Sequence, residues 1–208
     1  MTQNSQPTAP KPPVASSDAA WVSLPTPLAL PVLQELCRDI EVIFRLNPFY
    51  YFQSWTKTGP ANYALEFENQ SNQTKNAVNI QLTATADGFT VTYDQGLKKR
   101  TVFILEANVE GSKLTVTDDY EGIPESERAQ RLLEVDRSLQ AWGEALQLYF
   151  LRQKRWTWLP GWRWYMRRVW IPMKPSARRI VWMLYLITAA EFAFFVLLIL
   201  IWWSESRG

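Results

Sequence analysis

The stretch VNIQLTATADGFTVTY, Val78–Tyr93, decides the fold class. Ile80, Leu82, Ala84 and Ala86 alternate with polar residues, and Phe89, Val91 and Tyr93 alternate on the far side of Asp87-Gly88. A period of two on each side of a DG pair predicts an antiparallel hairpin with one apolar face. The same reading extends outward. FYYFQSW and NYALEFEN flank TKTGPA, and RTVFILEANV and KLTVTDDY flank EGS. Consecutive strands joined by tight turns form an antiparallel meander. In TVFIL both faces are apolar, so that strand is expected to be covered on both sides.

Helices bracket the strands. Before them, AWVSL is a short strand closed by Pro25 and Pro27, and Leu33, Leu36, Cys37, Ile40, Ile43 and Phe44 recur at helical steps up to Asn47-Pro48. Cys37 falls on that apolar face and is expected to be a packing residue. After the strands, Pro124, Glu125 and Glu127 suit a helix start. Leu132, Val135, Leu139, Trp142, Leu146 and Tyr149 then form one apolar stripe.

This order of elements resembles the START/Bet v 1-like (helix-grip, SRPBCC) superfamily. The resemblance implies an α+β fold with a curved antiparallel sheet of about six to seven strands gripping a long C-terminal helix. In it Ala20–Leu24 is the first strand, Leu30–Leu46 the helix that interrupts the sheet, and Ser126–Lys154 the gripped helix. It also implies a hydrophobic ligand: a lipid, an isoprenoid, a quinone or a polyketide-like molecule. The candidate cavity lining is Phe49, Tyr51, Trp55, Phe67, Phe89, Tyr93, Phe103, Tyr120 and Trp142. A polyketide cyclase of this superfamily needs an acid or base in the cavity. Glu66, Glu68 and Glu106 are read instead as facing water, and Asp118, Asp119 and Glu121 as a solvated strand end.

Composition narrows the chemistry further. The 208 residues include one cysteine and no histidine, which excludes cysteine/histidine zinc sites, histidine triads and an intramolecular disulfide. No Gly-rich phosphate loop is present. No catalytic residue, metal site or cofactor is assigned.

The C-terminal part has a different character. Ile180–Trp203 is an apolar run of about 24 residues, roughly 36 Å of helix, enough to cross a bilayer. Trp182, Trp202 and Trp203 sit near its ends, where indoles prefer the interface. Ahead of it, Arg155, Trp158, Trp162, Arg163, Trp164, Arg167, Arg168, Trp170, Lys174, Arg178 and Arg179 interleave basic and aromatic residues. Such a segment suits anionic lipid headgroups, and with a span directly after it nucleic acid is not the expected partner. The positive-inside rule places everything before Ile180 in the cytoplasm, as at a bacterial inner membrane. The expected organisation is a disordered lead-in over 1–19 without a secretory signal, the START-like domain over 20–155, an interfacial segment over 156–179, the single span over 180–203 and a short extracytoplasmic tail over 204–208.

One residue in the span is out of character. Glu191 lies near mid-bilayer, where a carboxyl is costly unless paired or protonated. With Thr188 one turn before it, Glu191 is a candidate contact for a second transmembrane chain. The favoured function is therefore a membrane-anchored, non-enzymatic module for a hydrophobic ligand. The alternative is an accessory or assembly subunit of a larger membrane complex, and a cyclase- or hydrolase-like enzyme comes third.

Overall fold

In a computed structural model, residues 19–70, 74–96, 98–120 and 125–206 are described, except for the side chains of Thr74, residues 125–138 and Pro175. Of the lead-in expected over 1–19, Ala19 instead begins the first strand and the rest lies outside the described residues, as do Glu121 and the burial of Leu132 and Val135. Two compact units divide the chain, residues up to Arg163 and residues from Trp164 on.

The first unit contains seven strands: β1 (Ala19–Thr26), β2 (Tyr50–Lys57), β3 (Asn62–Asn69), β4 (Thr74–Thr85), β5 (Gly88–Tyr93), β6 (Arg100–Asn108) and β7 (Gly111–Asp119). They form one antiparallel sheet in the order β1-β7-β6-β5-β4-β3-β2. Strands β2 to β7 are the expected meander, and β1 returns to pair with β7, Val22 opposite Val116 and Leu24 opposite Leu114. The DG hairpin turns one residue early: Thr85 pairs with Gly88, and Ala86 and Asp87 make the loop. Gly88 is needed for another reason. A Cβ there would lie 1.9 Å from the Phe103 carbonyl oxygen of β6, a separation that no side chain can occupy.

The helix expected over Leu30–Leu46 is two helices, α1 (Leu30–Cys37) and α2 (Ile40–Arg45). Asp39 separates them because its carboxylate accepts from the Val42 N–H at 3.4 Å and so caps the second helix. Cys37 is 3 % exposed, and burial pushes its thiol up to about 12, consistent with packing.

The long helix α3 (Glu125–Trp156) closes the unit. Leu139, Trp142, Leu146, Tyr149 and Phe150 are all buried, which extends the apolar stripe read from the sequence. At Gly143 the helix comes closest to β1: an added Cβ would lie 2.9 and 3.1 Å from the Val22 methyls and 3.2 Å from Leu24 Cδ2.

Helix α4 (Trp162–Tyr165) contains the division between the units, and the second unit continues with a π-helix over Met166–Trp170 and α5 over Pro175–Glu205. Gly161 precedes α4 with φ 83°, a left-handed conformation suited to glycine. Ser176–Glu205, 30 residues of α5, is long and apolar enough to cross a membrane. The helix thus extends beyond the expected 180–203 at both ends.

Substituting Gly143 tests the close seat of α3. Alanine gains up to about 1 kcal/mol of helix propensity, but overpacking a tight contact costs about 1–3 kcal/mol. Gly143→Ala should therefore lower stability in chemical denaturation of the detergent-solubilised protein. Gly143→Ala with Val22→Ala should recover stability relative to Val22→Ala alone, whereas a gain from Gly143→Ala alone would show that the contact is slack.

Candidate functional site

The strand register defines which side chains share the face that meets α3. On β6 and β7 it carries Thr101, Phe103, Leu105, Leu114, Val116 and Asp118, paired across as Thr101 with Asp118 and Phe103 with Val116. On β5 and β4 it continues through Phe89, Val91, Tyr93, Ile80 and Leu82. On β3 it takes Tyr63, Leu65 and Phe67.

Strand β2 breaks the simple alternation. Tyr50 pairs with Asn69, Phe52 with Phe67, and Trp55 with Leu65, with a bulge between Phe52 and Ser54. An inserted residue shifts the period by one, so Tyr50, Phe52 and Trp55 all join the inner face. Tyr51 pairs with Glu68 on the outer face, and Phe49 adjoins it, its carbonyl accepting from the Gln70 N–H at 2.7 Å. The expected lining is corrected accordingly: Phe49 and Tyr51 leave it, while Tyr50 and Phe52 enter.

The rings on this face touch one another. Phe89 stacks on Phe103 with centroids 4.4 Å apart, and Phe103 and Phe44 meet Trp142 edge-on at 5.8 and 5.2 Å. Further along, Tyr50 lies 4.7 Å from Phe67, and Phe52 and Tyr63 lie 5.4 and 5.8 Å from Trp55. Trp142, Phe103 and Phe52 are buried, whereas Tyr50, Trp55, Tyr63, Phe67, Phe89 and Tyr93 keep part of their surface open.

At one end of this aromatic wall lies a buried ion pair. Lys98 Nζ is 3.0 Å from Asp118 Oδ2, with side chains 18 % and 2 % exposed. Thr101 donates its hydroxyl to Asp118 Oδ1 at 2.6 Å, and Tyr93 lies 3.0 Å from the Thr101 oxygen. Because the Thr101 proton goes to the carboxylate, the phenol must donate, giving a relay from Tyr93 through Thr101 to Asp118. The Tyr120 hydroxyl approaches Asp118 Oδ2 at 3.4 Å. Rings surround the ammonium: Tyr50, Tyr93 and Trp142 have centroids 5.9, 5.9 and 5.7 Å from Nζ. Trp142 is itself fixed by Nε1 donating to the Ile43 carbonyl at 2.9 Å.

The reading of Asp118 and Asp119 as a solvated strand end is overturned. Both are buried; Asp119 pairs with Arg100 at 2.7 Å on the outer face as Asp118 pairs with Lys98 on the inner one. Glu66 and Glu106 are exposed as expected, and Glu68 is half-buried on the outer face.

The surroundings fix the protonation of these groups. Burial opposes the Lys98 charge most strongly of any single cause, but Asp118 together with Tyr50, Tyr93 and Tyr120 outweighs it and holds the ammonium well above the ordinary lysine range. Burial keeps the Tyr93 and Tyr120 hydroxyls above the usual phenol range, so both remain donors. A lysine held protonated is neither a general base nor a Schiff-base nucleophile near neutrality. Among the described residues no three Asp, Glu, Cys or His side chains gather to hold a metal.

The basic-aromatic segment is mostly on the surface. Arg155, Trp158, Arg163, Trp164, Arg167, Arg168, Lys174 and Arg179 are exposed, and Trp162, Trp170 and Arg178 are half-buried. Arg178 differs from the rest, since its guanidinium donates to the carbonyls of Trp170 and Ile171. Thr188 and Glu191 lie on the surface of α5.

Breaking the ion pair should be costly and removing it whole should not. Asp118→Asn should cost about 3–5 kcal/mol in chemical denaturation, because Lys98 stays buried without its counter-ion. Lys98→Met with Asp118→Leu should recover most of that loss. The pH dependence has a fixed sign. Lys98, Tyr93 and Tyr120 are all raised on folding, so their contribution is present below the unfolded values of about 10 and is lost as pH rises through the folded ones. Thermal melting should fall on an alkaline limb above about pH 10, and Tyr120→Phe should flatten it. A melting temperature independent of pH there would overturn the burial of these groups.

No protein-family model matches the sequence, and no curated protein matches it. Solved structures do. One is the di-domain ARO/CYC StfQ from the steffimycin biosynthetic pathway, with TM-score 0.50, 9 % identity, and coverage of 66 % of this chain and 51 % of that one. Another is TTHA0849 from Thermus thermophilus, with TM-score 0.47, 13 % identity, and coverage of 64 % and 96 %. A third is a STAR-related lipid transfer protein from Xanthomonas axonopodis, with TM-score 0.40, 16 % identity, and coverage of 64 % and 84 %. At such identities the likeness concerns fold and not activity. The seven-stranded antiparallel sheet closed on α3 is a helix-grip fold.

Proposed function

We propose that the chain is a membrane-anchored, non-enzymatic binding module for a hydrophobic ligand, a lipid, isoprenoid or quinone, with its domain on the cytoplasmic face. The observation that carries this reading is the inner wall of half-open rings from Trp55 to Tyr93 ending at the Lys98–Asp118 pair. Ligand sites combine apolar bulk with a few placed polar groups. Here the wall supplies the bulk. An ammonium carries three N–H groups and the Asp118 bond uses one, so Lys98 can donate to a carbonyl or hydroxyl oxygen of the ligand. The fold shared with the ARO/CYC di-domain is consistent with that reading. The helix Ser176–Glu205 supports the anchor, and the basic residues before it support the cytoplasmic side.

A second reading, an accessory subunit of a larger membrane complex, rests on Glu191. A carboxyl on the apolar surface of α5 favours a hydrogen-bonding partner in the membrane, and Thr188 is one turn away.

Native mass spectrometry of the protein extracted from its own membranes separates the two. The binding reading expects a copurified lipid, isoprenoid or quinone, lost from the Lys98→Met/Asp118→Leu form although that form still melts cooperatively as a folded protein. The accessory reading expects no such adduct but a copurified membrane protein. Its association should weaken about 3- to 30-fold in Glu191→Leu, the loss of one interhelical hydrogen bond.

A further inference from the structure

Helix α3 carries two stripes with the same spacing. Leu146, Tyr149, Phe150 and Gln153, at i, i+3, i+4 and i+7, are buried against the domain. Leu148, Leu151, Arg152 and Arg155 repeat that spacing two residues later, which at 3.6 residues per turn is the opposite side of the helix. This outer stripe faces away from the core: Leu148 is 52 % and Leu151 44 % exposed, and both arginines are exposed. A helix at the surface of a water-soluble domain places polar groups there, so two exposed leucines followed by two arginines need a different account. The helix is also held in this orientation from its flanks, Gln147 donating to the Pro25 carbonyl at 3.5 Å and Lys154 to the Pro27 carbonyl at 3.0 Å.

We infer that the outer stripe of α3 is a docking surface for an anionic phospholipid bilayer. Charge complementarity argues for lipid: no acidic residue occurs between Glu144 and Glu191, while Arg152, Lys154 and Arg155 lie on or beside the stripe. So does the indole of Trp158, 74 % exposed just past the helix end. Leucine and tryptophan at the acyl boundary with arginines at the headgroups is the arrangement of an interfacial helix. The chain runs on from this helix to the apolar helix beginning at Ser176, which keeps a bilayer within reach. The inference rests on the anchored reading above but does not depend on any ligand.

The test uses the full chain reconstituted into phosphatidylcholine vesicles with or without phosphatidylglycerol. Leu148→Cys and Leu151→Cys are spin-labelled in turn with the buried Cys37 left in place, and Thr92→Cys, exposed on β5, is the control. In anionic vesicles the stripe labels should become accessible to oxygen and shielded from a water-soluble nickel chelate, while Thr92 stays in water. Arg152→Gln with Arg155→Gln should lower the docked-to-undocked ratio about thirty-fold, since each basic residue contributes roughly one step of mass-action attraction to such a surface. Labels exposed to the chelate in both vesicle types would overturn the inference. So would labels shielded alike in both types and in detergent, which would assign the stripe to a second copy or another protein. Release of the whole protein by alkaline carbonate would instead remove the anchored reading on which the inference stands.

Discussion

Taking a lysine and an aspartate out of water together costs several kcal/mol per ion, and only good geometry with further hydrogen bonds returns it. Lys98 and Asp118 meet that condition through residues drawn from most of the domain. Asp118 is next to last in β7, Thr101 is second in β6, Tyr93 ends β5, Tyr50 begins β2 and Trp142 comes from α3. These groups converge only if the sheet has its observed register and α3 is seated against it. Gly143 permits that seat by removing a side chain where β1 comes closest. The ion pair is thus a register requirement as much as an interaction: a slip of one residue in β7 would turn Asp118 to the outer face and strand Lys98 among aromatic rings.

The same face shows how much of the domain was legible in the sequence. Alternation in Val78–Tyr93 and Asn62–Asn69 located those strands because a period of two needs no long-range information. The buried stripe of α3 was legible for the same reason. The bulge in β2 was not, since FYYFQSW offers an apolar or aromatic residue at either parity and only pairing with β3 decides between them. That ambiguity put Tyr51 in the wall in place of Tyr50. Asp118 and Asp119 were misread because their partners lie about 20 residues away. A usable signal was present: KKRT opens and TDD closes one hairpin, which brings them side by side at its open end, where Arg100 pairs with Asp119 and Thr101 with Asp118. Two basic and two acidic residues facing each other across neighbouring strands are complementary on both faces of the sheet.

The C-terminal unit was legible by composition, since a run of apolar residues this long has few soluble alternatives. Its finer organisation was not. A basic-aromatic segment read as one interfacial collar contains at least one residue that holds the backbone instead. Arg178 binds the carbonyls of Trp170 and Ile171, where the π-helix ends and proline at 172 and 175 interrupts regular hydrogen bonding. Counting every arginine as a lipid contact therefore overstates the charge available to headgroups.

The two stripes of α3 place the aromatic wall and the outer leucines on one rigid element. A helix with side chains is about 10–12 Å across, so Trp142 beside the Lys98 ammonium and Leu148 on the outer surface are separated by little more than one helix thickness. The inner stripe forms part of the floor of the aromatic wall, and the outer one carries leucines and arginines suited to a bilayer. A change in how the outer stripe is held therefore has a short mechanical route to the wall. The tight contact of Gly143 with Val22 and Leu24 opposes sliding of α3 along β1. The sheet and its loops hold both ions of the Lys98–Asp118 pair, and the helix supplies the Trp142 ring beside it, so the pair couples the seat of α3 to the register of the sheet.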